Sequence, residues 1–141
     1  MTKITVNHCE LCNADGGEVV WRDAFCRVVL VEDPDYPGFC RVILNDHISE
    51  MTLMEPTRRE RLMRVVFATE MVLRELMSPQ KINLASLGNM VPHIHWHVIP
   101  RFSDDRHFPA SIWAEPRRAP PTADKKPAVS ILAARLAQTI G

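Results

Sequence analysis

The chain has 141 residues, 46% hydrophobic and 24% charged, and its 17 basic side chains are balanced by 17 acidic ones. This size and composition predict one globular domain with a substantial core. The zero net charge argues against a protein that binds nucleic acid mainly by neutralising phosphates. Neither the apolar core of a signal peptide nor a membrane span is visible, so we expect a cytoplasmic protein with no membrane partner.

Two of the four cysteines, Cys9 and Cys12, stand near the N-terminus in a Cys-x-x-Cys pattern. In a chain without an export signal, cysteines are more often free thiols or metal ligands than disulfides. The pattern is compatible with zinc ligation, with redox chemistry and with two unrelated thiols. The other two cysteines, Cys26 and Cys40, lie in apolar segments and are expected to be small buried side chains.

Three segments in the first part of the chain have strand character. Residues 18–22 and 24–31 are rich in valine and predict a hairpin that turns at Asp23, and residues 39–44 predict a third strand. Residues 32–38 between them contain two prolines and a glycine, which predict a loop.

A long helix is predicted from residue 57 to residue 77, where apolar residues recur at helical spacing. Thr57 and Glu60 have the spacing of a capping box, in which each side chain bonds a free backbone N–H at the start of the helix. Pro79 is expected to end the helix.

Two further strands are predicted after the helix, at residues 81–87 and 93–101, with a turn at Gly88–Asn89 between them. Strands joined by short turns around one long helix are typical of an α+β fold. The sheet is expected to be mostly antiparallel.

The strands and the long helix fall within residues 1–102, which we assign to one domain. Residues 103–141 are predicted to form a C-terminal arm, packed on the same domain or on a dimer partner. This arm is rich in proline over residues 115–127 and has the pattern of a short amphipathic helix over residues 129–140. Its composition suggests that Trp113 could reach the pocket of a partner chain.

The most informative feature is a row of histidines at every second position, His93, His95 and His97. On a strand these side chains would share one face, because successive residues point to opposite sides. Three interpretations are open. The row could be structural, it could hold a metal ion, or a neutral imidazole in it could attack an electrophilic phosphorus.

This row, with its apolar neighbours, resembles the His-φ-His-φ-His-φ-φ signature of the histidine triad (HIT) family, where φ is apolar. Asn83, the Gly88–Asn89 turn and residues 45–48 also match the family's pattern, and the resemblance spans about residues 9–101. The chain most resembles bacterial members described as diadenosine polyphosphate hydrolase-like. The resemblance implies a HIT-like fold with a five-stranded sheet, and a homodimer.

The resemblance also implies an activity. Family members are nucleotide hydrolases or transferases that cleave at the α-phosphorus, on substrates such as dinucleoside polyphosphates or nucleoside phosphoramidates. His95 would attack and carry the nucleotidyl group, with its tautomer held by a backbone carbonyl across the strand, and His97 would bond the phosphate or the leaving group. Asn83 and Asn89 would contact phosphate oxygens. No organic cofactor is implied.

The acidic loop that contains Glu32 and Asp33 occupies the position where relatives contact the ribose hydroxyls. A solvent-exposed acidic loop is an equally good interpretation of these two residues. Many relatives carry Pro-Gly-His after this loop, whereas here Pro37-Gly38 is followed by Phe39. The nucleoside pocket is therefore expected to differ in detail.

For the Cys-x-x-Cys pattern the resemblance implies a zinc site. In several family members this pattern joins a histidine after the third strand and the first triad histidine, which here are His47 and His93. Cys9, Cys12, His47 and His93 would form a closed, structural site.

Two other functions of the whole chain remain open. One is a nucleotide-binding or zinc-stabilised interaction module with little turnover. The other is a metalloenzyme that uses all three histidines of the row.

Overall fold

The computed structural model describes residues 3–141; residues 1 and 2, with which the predicted domain begins, lie outside the described residues. The helices are α1 Glu10–Asn13, α2 Pro56–Met77 and α3 Val129–Ile140, with a short 3₁₀ turn at Met51–Leu53. The strands are β1 Glu18–Arg22, β2 Cys26–Leu30, β3 Cys40–Leu44, β4 Lys81–Ala85 and β5 His95–Arg101. None of the helices in this part of the chain is long and apolar enough to cross a membrane.

The five strands form one antiparallel sheet in the order β1-β2-β3-β5-β4, which confirms the predicted α+β fold. The hairpin turns at Asp23, as predicted. The Asp23 Oδ1 accepts hydrogen bonds from the backbone N–H groups of Phe25 and Cys26, both at 2.8 Å, and so satisfies donors that the turn leaves free. The histidine strand β5 lies between β3 and β4, so neighbouring side chains flank it on both sides.

One face of the sheet is covered by α2 and α3. Val42 of β3 and Val98 of the neighbouring strand β5 point to this face and are fully buried with the helix residues. The arm contributes Leu132 and Leu136 of α3, which are also fully buried in this core. Each such leucine contributes about 2 kcal/mol to stability. The helix of the C-terminal arm therefore completes the core of its own chain.

The predicted capping box at the start of α2 is wrong. Glu55 takes the N-cap position without a side-chain hydrogen bond, and Pro56 occupies the first turn, where its missing N–H costs nothing. Thr57 therefore lies inside the helix, too late in the chain to cap it. At the other end Ser78 adopts a left-handed conformation with φ 49° and ends the helix just before Pro79.

The last strand begins at His95 and not, as predicted, at His93. Pro92 has no N–H to give to the sheet, and the N–H of His93 donates to the carbonyl of Val91 at 2.8 Å. His93 is therefore held in a turn ahead of the strand. Only His95 and His97 stand in the predicted row on the sheet.

Candidate active site and metal centre

The sheet face opposite α2 carries the two strand histidines. His97 lies directly opposite Arg41 of β3 on one side and Ala85 of β4 on the other, and His95 lies opposite Ile43. Directly opposed residues of an antiparallel pair project to the same face. Imidazole and guanidinium groups therefore stand side by side on this face.

The orientation of the His95 ring is defined by one hydrogen bond. Its Nδ1 lies 2.6 Å from the carbonyl oxygen of His93, and because a carbonyl can only accept, Nδ1 must carry the proton. The other ring nitrogen, Nε2, is then unprotonated in the neutral ring. The carbonyl belongs to the turn two residues earlier and not, as predicted, to a neighbouring strand, because His93 lies outside the ladder.

The His97 ring is enclosed by other rings. Its centroid lies 5.0 Å from that of His95, 5.7 Å from that of Phe39 and 5.1 Å from that of Trp113, and the residue is only 6% exposed. Trp113, which the sequence suggested for a partner's pocket, contacts His97 of its own chain. Burial is the main cause that lowers the pKa of His97 to about 4, and repulsion from His95, when that ring is protonated, and from Arg41 adds to it. The His97 ring is therefore neutral near pH 7.

Replacing His97 with glutamine is expected to flatten the pH dependence of stability between pH 6.5 and about 4. In this window the unfolded chain binds a proton that folded His97 does not, so the free energy of unfolding falls as the pH falls. The wild-type slope from this residue approaches about 1.4 kcal/mol per pH unit. Urea unfolding in a chelating buffer, at several pH values in this window, measures the difference. His8→Gln, at an exposed site, is the matched control, and parallel profiles for wild type and His97→Gln would contradict the assignment.

Beside the histidines, four side chains from distant parts of the chain converge. Cys9 precedes α1, Cys12 lies in it, His47 follows β3 and His93 precedes β5. One ligand atom from each lies within 4.8 Å of all the others. The Nε2 of His93 lies 2.6 Å from the Leu44 carbonyl and donates to it, which leaves Nδ1 free to bind.

The separations in this cluster fit a tetrahedral metal site. The His93 Nδ1 lies 3.5 Å from the Sγ atoms of both cysteines and 3.3 Å from the Nδ1 of His47. Zinc–ligand distances of about 2.0–2.3 Å at tetrahedral angles require about 3.5 Å between sulfur and nitrogen and about 3.3 Å between nitrogens. The cluster could therefore hold a metal ion such as zinc, with every ligand that the sequence predicted.

A buried ion pair lies next to the site. Arg101, at the end of β5, and Asp105 are each 2% exposed, and the arginine Nε donates to the carboxylate at 2.8 Å. Burial raises the pKa of Asp105, but the hydrogen bonds from Arg101 and from the backbone N–H groups of Phe102, His107 and Phe108 outweigh it and lower that pKa. Sequence reasoning missed this pair, because nothing in the local pattern tells a buried arginine from the many exposed ones.

The same arginine orients the amide of Asn83. The Nη1 of Arg101 donates to the Oδ1 of Asn83 at 2.7 Å. A guanidinium has only donors, so the amide oxygen must face it and the amide NH₂ must point elsewhere. Asn83 lies opposite Ile99 on the histidine face of the sheet. Its NH₂ group makes no hydrogen bond within the described part of the chain and is available as a donor.

Comparison with known proteins identifies the family. A family model for the HIT domain matches residues 15–104. The chain belongs to the HIT domain family. No curated protein matches the chain.

Solved structures agree with this HIT domain in fold. A histidine triad protein of Marinobacter aquaeolei has a TM-score of 0.73 at 24% identity, covering 99% of this chain and 97% of its own. One from Sinorhizobium meliloti has a TM-score of 0.72 at 23% identity, covering 99% and 98%. A Sulfolobus tokodaii protein described as a hypothetical histidine triad nucleotide-binding protein has a TM-score of 0.59 at 19% identity, covering 88% and 83%.

The other residues predicted to contact the substrate do not line the same cavity of this HIT domain as His95. His95 lines a cavity of about 290 Å³ together with Ser86 and Gly88 of the β4–β5 loop. Asn89 lies exposed in the same loop but does not line this cavity. Glu32 and Asp33 line a different cavity, of about 540 Å³. The structure therefore does not bring the acidic loop or Asn89 into direct contact with the histidines.

Proposed function

We propose that this HIT domain cleaves nucleotides at the α-phosphorus through a covalent nucleotidyl–His95 intermediate. The observation that carries the proposal is the hydrogen bond from the Nδ1–H of His95 to the His93 carbonyl. It leaves an unprotonated Nε2 on the imidazole of a half-buried residue that is among those lining a cavity. A neutral imidazole so oriented is an activated nucleophile.

The reaction would proceed in two displacements. The Nε2 lone pair of His95 forms a bond to the α-phosphorus, and the bond from phosphorus to the leaving group breaks. The imidazole ring becomes positively charged, and the His93 carbonyl at Nδ1 stabilises that charge. Water then attacks the phosphorus and loses a proton to the solvent, the P–N bond breaks with its electron pair returning to Nε2, and a nucleoside monophosphate leaves. His97, neutral near pH 7, can donate a hydrogen bond to a phosphate or leaving-group oxygen.

Trapping the intermediate tests this mechanism. The protein is mixed with an adenosine phosphoramidate or a dinucleoside polyphosphate and quenched in alkali, because phosphoramidates are acid-labile. Mass spectrometry should find an adenylyl group on the peptide that contains His95. A substrate chiral at the α-phosphorus should react with retention, since two displacements invert twice. Turnover with inversion and no adduct would exclude the covalent mechanism.

Asn83 is proposed to donate to a phosphate oxygen from an amide that Arg101 holds in place. Asn83→Ala should lower kcat/KM by about 10²-fold, the effect of losing one transition-state donor. Arg101→Lys keeps the positive charge beside Asp105 but loses the planar, multiple-donor guanidinium. We expect this variant to lower kcat/KM by about tenfold. If Arg101 acts through Asn83, the double variant should be no slower than Asn83→Ala. Additive losses in kcat/KM, measured with the phosphoramidate on folded variants, would contradict that role.

Zinc is the metal that we propose for the cluster, held by Cys9, Cys12, His47 and His93. Its two-sulfur, two-nitrogen donor set and its closed geometry suit a structural ion. When bound, the ion would tie the segment around α1 to the turn that precedes β5. The residues of the cluster thereby hold His93, whose carbonyl orients His95.

Other features of the proposed function stay predictions. They are the ribose contacts of Glu32 and Asp33, a phosphate contact of Asn89, the homodimer, the cytoplasmic location and the diadenosine polyphosphate hydrolase-like branch. The alternative, a nucleotide-binding module with little turnover, shares the same site but not the adduct. The trapping experiment therefore separates the two functions.

A further inference from the structure

Arg41 stands on the histidine face but leans away from His95. Its guanidinium carbon lies 5.5 Å from the centroid of the Phe39 ring, two residues earlier in the chain. His95 lies on the other side, opposite Ile43. The Phe39 ring in turn packs 5.7 Å from the ring of His97. The guanidinium therefore sits over an aromatic ring, beyond His97 as seen from the nucleophile.

One nitrogen of this guanidinium is buried and unsatisfied, on a side chain that is half-buried as a whole. Its Nε is buried without a partner, and among residues 3–141 no hydrogen bond or ion pair involves the side chain. The buried Arg27 and Arg101 differ, since each makes four side-chain hydrogen bonds. Burying a donor without an acceptor costs free energy. The Arg41 guanidinium is held against the Phe39 ring without an acceptor, so a ligand that supplies acceptors could bind to it.

The surroundings of Arg41 place it at the nucleoside end of the proposed substrate. Burial lowers its pKa, while the charges of Glu10 and Asp33 oppose that shift. Those carboxylates act at a distance and make no hydrogen bond with it. Asp33 is the proposed ribose contact. A nucleotide with its α-phosphorus at His95 and its ribose toward Asp33 would pass over this arginine.

We infer that Arg41 recognises the base, and that the site prefers guanine to adenine nucleotides. The inference rests on the proposed function for the position of the phosphate. A guanidinium offers two parallel donors, which match the adjacent O6 and N7 acceptors of guanine. On the same edge adenine offers one acceptor, N7, and a competing donor, N6. Of these two bases, only guanine offers an acceptor to each of the two parallel donors of Arg41.

Binding of the two monophosphates tests the inference without any turnover. Calorimetry on the full chain should show GMP bound more tightly than AMP by about 5- to 150-fold, the discrimination of one bidentate contact. Arg41→Met should bring this ratio close to one, mainly by weakening GMP. Arg41→Lys keeps the positive charge but not the two parallel donors, so its preference for GMP over AMP should be little greater than that of Arg41→Met. Arg64→Met, an exposed arginine of α2 on the helix-covered side, should leave it unchanged.

The outcomes separate this inference from the proposed mechanism. A wild-type preference for AMP, or a ratio that Arg41→Met leaves unchanged, overturns the role of Arg41. Equal weakening of GMP and AMP overturns it too, because the arginine would then bind the phosphate they share. If neither monophosphate binds, both proposals fail. Guanine preference that depends on Arg41, in a protein that forms no adduct on His95, leaves the inference standing and removes the covalent mechanism.

Discussion

Replacing His95 with alanine is expected to lower kcat by at least about 10³-fold, as removal of a nucleophile does, while the protein stays folded. The physical reason is that Nε2 of this ring is the unprotonated nitrogen, since Nδ1 donates to the His93 carbonyl. We do not expect His97 to replace it, because that ring packs between Phe39 and Trp113 and acts in the proposed mechanism as a hydrogen-bond donor. Steady-state rates with a nucleoside phosphoramidate measure the effect.

The companion variant His95→Gly sharpens this test. Removing the whole side chain leaves room for free imidazole, which should restore part of the turnover in proportion to its concentration. His8→Ala, which removes an exposed histidine outside the cluster, should leave kcat unchanged. GMP binding by the His95 variants, together with an unchanged unfolding midpoint, shows that the site persists. A near-normal rate in His95→Ala would exclude the assigned nucleophile.

The second large effect concerns the metal. Protein purified without added zinc should contain about one zinc ion per chain, and Cys12→Ser should contain almost none, because a serine oxygen is a poor replacement for a thiolate. An ion that binds the folded state but not the unfolded one stabilises it. We expect the variant to lose about 3 kcal/mol or more, close to 10 °C in Tm at this size. Elemental analysis and thermal unfolding measure the two effects.

A second cysteine provides the control for the metal. Cys26→Ala removes a fully buried thiol that lies outside the cluster. It should lower stability by leaving a small cavity, yet keep one zinc ion per chain. Wild-type protein with only a small fraction of an ion per chain would contradict the zinc proposal. Loss of zinc in Cys12→Ser without a change in Tm would contradict its structural role.

The predicted elements were correct where the signal is local. The valine-rich, apolar composition of the first three strands and the helical spacing of α2 and α3 depend only on nearby residues in the chain. The turn at Asp23 is local for the same reason. The predicted start of α2 failed although caps are local too, because Thr57 matched the pattern of a cap while Pro56 already occupied the first turn.

The histidine row was predicted only in part by its alternation in the sequence. Alternation predicted that His93, His95 and His97 act from one strand, but Pro92 keeps His93 out of the ladder. The turn directs its ring to two cysteines more than 80 residues away in the chain and its carbonyl to His95. One residue thereby belongs to the metal cluster and orients the nucleophile. The spacing of histidines in the sequence does not predict this double role, because the role depends on where strand β5 begins.

The sequence by itself determined the family, the positions along the chain of the five strands and of α2 and α3, and the residue types of the site, because short-range patterns indicate these features. It did not predict α1. The tertiary structure decided which side chains are buried and whether they find partners. Arg101 and Arg41 both lie on strands, yet Arg101 orients Asn83, whereas the side chain of Arg41 has no acceptor among the described residues. Burial and hydrogen bonding depend on contacts between segments that are distant in the sequence. A local sequence pattern does not predict which distant segments are in contact.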